Sequence, residues 1–319
     1  MTAWPNHAEG WREWRSALGS ARMHHGWILA GKSGLGKLEF ARAAARELVE
    51  EPGIPQPDDH PDILEITYGP KDDKEERKRQ NGKDYELSKI IRVREIRAMQ
   101  QRLTTRPTLG SRRAIIIHPA DDMNVEAANA LLKSLEEPPQ GTFFILVTHR
   151  PSRLLPTIRS RCRVLRFHTL SEEQLGAMLG DEGHSAEPAA LHAAGGSYGA
   201  ALRFMEEDLT PIARMIDGLL TAGDPTFVAR AELGRLIGAR AKRERVQAIF
   251  DLAQGITAER AKRAESPASR IAMIDAHSRL VTLATQAPTH NFDPGLLTLE
   301  IGTLLVEAHA ASEPAHGSR

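Results

Sequence analysis

The chain has 319 residues, too many for one small core and enough for two or three compact domains. Its 42 Lys and Arg balance 42 Asp and Glu, which excludes a whole-molecule positive field for nucleic acid and leaves only local patches. A single cysteine, Cys162, excludes an intramolecular disulfide and a cysteine-rich metal site; with no secretory leader pattern and no apolar run of membrane-spanning length, a cytoplasmic protein without membrane contact is expected.

The apolar run Trp27 to Ala30 predicts a buried strand, Gly31-Lys32-Ser33-Gly34-Leu35-Gly36-Lys37 a loop, and the alanine-rich stretch Leu38 to Glu50 a helix. Strand, glycine loop and helix are the setting of a P-loop. Small residues there let backbone N–H groups close around phosphates, and the lysine reaches the terminal phosphates. Gly31, Gly34, Gly36 and Lys37 are therefore the candidate nucleotide-binding residues. Leu38 stands where a magnesium-holding Ser or Thr is usual, so the cradle is degenerate.

After a Pro-rich link, Pro52 to Pro61, residues 62–67 predict a strand, and Lys71 to Lys83 mixes charges without an apolar period. A solvated insertion is the expectation there, ahead of a DNA contact. Ile91, Val93, Ile96, Met99 and Leu103 mark one helical face, and Ala114–Ile117 and Phe143–Val147 read as strands buried on both sides. Between them a helix starts near Asn124 as its cap, carries Glu126 in its first turn and stops at Pro138-Pro139. The alternation argues for a parallel sheet. That helix, Ala127-Ala128 through Leu135, is expected to pack against the sheet rather than place Lys133 on nucleic-acid phosphate.

A hydrolytic P-loop enzyme needs acids at the end of its second core strand to hold the metal and polarise water, but Ile115-Ile116-Ile117 runs into His118-Pro119-Ala120. Asp121 and Asp122 follow the proline, where turn or cap duty is the expectation. His118 has no cluster of partners in sequence and reads as structural. Beyond Phe167 strand signals fade, and Ser171 caps a helix with Glu172 and Glu173 in its first turn. Boundaries are placed to give units 1–168, 169–208 and 209–319.

HHGWILAGKSGLGK, HPDILEI, AANALLKSLEEPP and the run from Thr148 through Ser160-Arg161-Cys162 together resemble bacterial clamp-loader subunits, members of the AAA+ class, over roughly the first two thirds of the chain. The resemblance implies a RecA-like α/β P-loop domain, a small helical lid and an all-helical collar. Catalytic members keep a complete P-loop and its acids. The delta-prime type is similar to this chain in losing them. By resemblance Arg161 is an arginine finger projected onto the ATP of an adjacent subunit, and Thr148 holds the sensor-1 position or is an ordinary strand-end hydroxyl. Gly199 falls where ATP-hydrolysing relatives carry a sensor-2 arginine, and Arg203, about a helical turn further on, does not inherit that role. No cysteine lies between Gly31 and Ala114, so the zinc module of many relatives is not expected. The implied function is that of a non-hydrolysing subunit of the DNA polymerase III clamp loader. It would sit in a ring with gamma/tau and delta subunits and act on the sliding clamp and primer-template DNA through the complex. No cofactor is required, weak ATP or ADP binding stays open, and the alternative is an autonomous clamp-loader ATPase.

Overall fold

Apolar runs of four to seven residues rich in isoleucine, phenylalanine and valine are too short for stable helices and suit strands covered on both faces. In the computed structural model, which describes residues 4–20, 23–185, 188–238, 241, 243–290 and 293–312, they form one five-stranded sheet. Its strands are β1 (Gly26–Ala30), β2 (Ile63–Ile66), β3 (Arg113–Ile117), β4 (Thr142–Thr148) and β5 (Arg163–Arg166). They lie in the order β2-β3-β4-β1-β5, and every pair is parallel. The sheet belongs to the first of two compact units, Ala3–Thr169.

Successive side chains leave a strand on opposite faces, so one run feeds two cores. Trp27, Leu29, Ala114, Ile116, Ile145 and Val147 share a core with α1 (Ala8–Leu18) and α2 (Lys37–Val49). Ile28, Ile115, Ile117, Phe144 and Leu146 pack with α4 (Val93–Arg102) and α5 (Val125–Glu136). The Asn124 side chain caps α5 by accepting from the Ala127 N–H at 2.9 Å. Because the strands are parallel, the segments that follow β1, β3 and β4 emerge at one end of the sheet, with Ala30 beside Thr148 and Ile117 beside Leu146.

Some elements of this unit were not drawn from the sequence. The amphipathic α1 seats Trp14 fully buried, its ring 5.2 Å from that of Trp27. The charged stretch folds as α3 (Asp73–Gln80), held by the Asp72 cap and by Glu75–Lys78 and Glu76–Arg79 pairs one turn apart rather than by an apolar stripe. The edge strand β5 carries three exposed residues and buries only Leu165, too little pattern to mark a strand.

The second unit, Leu170–Arg319, has helices and no strand among its described residues. Ser171 and Gln174 form a capping box at the start of α7 (Glu172–Asp181), and Ser197 caps α9 (Tyr198–Glu206), which follows the short α8 (Pro188–Ala194). Then come α10 (Thr210–Ala222), α11 (Val228–Ile237), α12 (Arg243–Arg263), α13 (Pro267–His290) and α14 (Pro294–Ser312). One hydrophobic core runs through them from Ala190 to Ala308. Among the described residues no helix is long and apolar enough to cross a membrane. A parallel P-loop sheet followed along the chain by an all-helical unit is the architecture that the sequence implies.

Candidate functional site

The loop after β1 takes the shape of a phosphate cradle. Gly34 and Gly36 hold φ of 75° and 70°, the left-handed region where a side chain is strained. Gly31 answers a different demand: a Cβ there would come 2.5 Å from the carbonyl oxygen of Phe167, so its glycine serves close packing of the chain after β5. Lys37 opens α2, is 3% exposed, and donates from Nζ to the Lys32 carbonyl at 2.6 Å. Burial pushes its pKa down to about 8, with Asp121 and Glu39 pulling the other way. The lysine thus closes on its own loop.

The N-terminal segment packs against this loop. The Trp4 indole lies against Gly36, close enough that a Cβ there would sit 2.4 Å from the ring. Trp4 stacks on His7 at 5.2 Å, and a ring nitrogen of His7 meets the Leu35 carbonyl at 2.8 Å. Phe40 and Phe167 stand edge-on to His7 at 5.5 and 5.1 Å. Nothing in the local sequence around Trp4 announces a partner 32 positions away.

Beside the cradle, the turn after β3 forms an acid centre. Asp121 is 6% exposed. Its carboxylate accepts from the Thr148 hydroxyl at 2.9 Å, from the His149 N–H at 2.9 Å and from Arg150 Nε at 3.1 Å. Burial pushes its carboxyl up, but the hydrogen bonds from His149, Arg150 and Thr148 outweigh it and leave the pKa below the usual range. Asp122 binds Arg150 at 3.2 Å and accepts from the Tyr68 hydroxyl at 2.5 Å. Burial, followed by the charge of Lys37, lowers His149 to about 4, so its ring is neutral at pH 7. The two aspartates do sit in a turn, but neither caps α5. They fasten the end of β4 to the end of β3, and Thr148 spends its hydroxyl on Asp121.

Arg161 lies elsewhere. It follows the one-turn helix α6 (Pro156–Arg159), and its backbone N–H bonds to Ile158. Its carbonyl would be 3.1 Å from a Cβ on Gly26, the first residue of β1, and β5 pairs next with Arg163 beside Trp27. Arg161 is therefore at the start of β1 and the cradle at its end, four strand steps or roughly 13 Å apart. The Arg161 side chain is 37% exposed, and its guanidinium pairs with Glu136 at 2.8 Å. From Arg150 to Arg166 the chain holds six arginines and no acid. Under the loop, burial raises the Cys162 thiol to about 12, which keeps it protonated.

The structure thus brings Gly31, Gly34, Gly36, Lys37 and Thr148 to one end of the sheet and separates Arg161 from them. Arg150, Trp4, His7 and Glu136 are the residues that sequence reasoning missed; Asp121 was read as a turn residue, without its bonds to Thr148, His149 and Arg150.

The profile of a family described as DNA polymerase III, delta subunit matches residues 6–171, just over half of the chain. DNA polymerase III subunit delta' of Pseudomonas aeruginosa is 34% identical over 201 residues, 58% of this chain and 56% of that protein. Its namesake from Escherichia coli is 39% identical over 116 residues, 35% of each chain. The matches thus span about half of the first relative's length and about a third of the second's. A DNA polymerase III gamma subunit-related protein from Thermotoga maritima, solved as a crystal structure, covers 93% of this chain and 98% of its own at 20% identity with a TM-score of 0.47.

Proposed function

Because the chain belongs to the family described as DNA polymerase III, delta subunit, we propose that it serves as the delta-prime subunit of a clamp loader, hydrolysing no ATP itself and lending Arg161 to the ATP site of a neighbouring subunit. The observation that carries this reading is the position of Arg161. It stands at the opposite end of β1 from its own cradle, beyond the reach of one side chain, which supports a role toward another molecule's nucleotide rather than its own.

The chemistry supports the division of labour. An always-charged planar donor stabilises the negative charge that develops on a transferring phosphoryl group, worth on the order of 10³ to 10⁵ in rate. In its own cradle the chain has Leu38 at the magnesium position, His118-Pro119 in place of the acids and a Thr148 hydroxyl engaged by Asp121. Asp121 and Asp122 are held by Arg150 and do not stand in as metal-handling acids, which disfavours an autonomous ATPase. The subunit requires no cofactor of its own under this reading.

In the proposed assembly the partners are gamma/tau and delta subunits in a cytoplasmic ring, with the sliding clamp and primer-template DNA reached through it. Residues 169–208 act as the lid and 209–319 as the collar. The test is reconstitution with the Arg161→Ala variant. Complex mass stays unchanged, while ATP turnover at the adjacent site slows by on the order of 10³ and clamp loading falls with it. Unaltered turnover refutes the finger.

A further inference from the structure

Glu136 ends α5 and meets Arg161 across 25 positions of sequence. Two features already fix the backbone that carries the arginine: the N–H bond to Ile158 and the entry into β5 beside Trp27. A fixed backbone does not fix a side chain with four rotatable bonds, and the guanidinium is partly solvated. Its direction is set by three contacts. Nη1 donates to the Thr157 carbonyl at 3.0 Å and reaches the Ser160 hydroxyl at 3.4 Å, while Nη2 meets a Glu136 oxygen at 2.8 Å. These engage three of the five N–H groups of the fork.

We propose that Glu136 is the positioning residue of the arginine finger, holding one edge of the guanidinium so that the remaining N–H groups face outward toward a neighbour's phosphate. This rests on the reading of Arg161 given above. Several observations separate orientation from stability. An ion pair with partners 37% and 49% exposed contributes little to folding, so its consequence lies in where the guanidinium points. The site also suits a cation, because the carbonyl end of α5 adds negative potential beside the carboxylate. The helix end is itself anchored, since a ring nitrogen of His25 meets the Leu135 carbonyl at 2.9 Å. The acid is therefore presented from a rigid element, as a positioning group must be. Neutral glutamine keeps an acceptor for Nη2, whereas alanine releases the side chain to its rotamers.

The experiment is a double-mutant cycle in the reconstituted complex, with the full chain as wild type, Glu136→Ala, Glu136→Gln, Arg161→Ala and the Glu136→Ala/Arg161→Ala pair. The readouts are complex mass and the kcat and KM for ATP. Glu136→Ala is expected to lower kcat roughly 5- to 20-fold, the scale set by refixing a rotamer-rich side chain, with KM and mass unchanged. Glu136→Gln recovers most of that loss, and Glu136→Ala adds nothing once Arg161 is gone. If Arg161→Ala leaves kcat intact, the finger reading itself fails. If Arg161→Ala lowers kcat but Glu136→Ala matches or exceeds wild type, or if its loss persists in the double variant, the finger stands and the positioning role is overturned.

Discussion

The phosphate cradle and the Arg161 corner lie at opposite ends of β1 and treat positive charge in opposite ways. In the cradle, Lys37 is buried, its ammonium donates to its own loop and the nearby carboxylate of Asp121 is already shared among Thr148, His149 and Arg150. At the corner, Arg161 keeps its charge at the surface with a single exposed acid and two local oxygens. A buried charge turned onto its own loop is less available to a ligand, whereas one held at the surface with further N–H groups is ready for an external anion. The difference teaches that one unit can turn the lysine of its P-loop sequence onto its own loop and still hold an arginine at the surface, as the proposed function requires.

The comparison breaks most sharply at Arg161. Its alanine variant is expected to cost on the order of 10³ in turnover at the neighbouring site while leaving the melting temperature of the isolated chain within a degree or so, as expected of an exposed pair. Magnesium-dependent turnover by the purified chain alone, abolished by Lys37→Ala, would reverse the assignment of roles between the two regions.

Removing Asp121 tests the other side. Asp121→Ala strips three donors of a buried acceptor and leaves Lys37 without its favourable field, so a loss of about 2–4 kcal/mol is expected in denaturant unfolding. The same carboxylate, whose folded pKa is depressed, contributes stability that is present above its unfolded value. That contribution disappears as pH falls through the folded value, so acid unfolding of the variant should lose this step.

Lys37→Met is the smallest effect and has the opposite sign. A lysine whose pKa falls to about 8 is penalised by burial whenever it is charged. The unfolded chain binds the extra proton between about 8 and the ordinary lysine value, so the penalty is constant below pH 8 and fades as pH rises above it. The variant should be more stable than wild type by about 1 kcal/mol at pH 7, on the scale of a partly compensated buried charge. That advantage should shrink in melts taken between pH 8 and 10. A destabilised variant would show that the Lys37–Lys32 contact outweighs the desolvation.

Much of this was written locally. The strand, loop and helix around Gly36-Lys37, the Asn124 and Ser171 caps, and the doubly buried β3 and β4 follow from patterns within a dozen residues, because capping, turn geometry and apolar periodicity act between near neighbours. The missing magnesium hydroxyl and acids were equally legible, being matters of which residue type stands at a position. What only the tertiary structure decided are the long pairings: Trp4 on Gly36, Asp121 with Thr148 and Arg150, Glu136 with Arg161, and the separation of Arg161 from its own cradle. The pairings of Asp121 and Glu136 go with the order β2-β3-β4-β1-β5, which brings residues 25 to 29 positions apart into contact, while the separation of Arg161 from its cradle follows from their places at the two ends of β1. A linear pattern records which residues are available; the parallel sheet determines which of them meet.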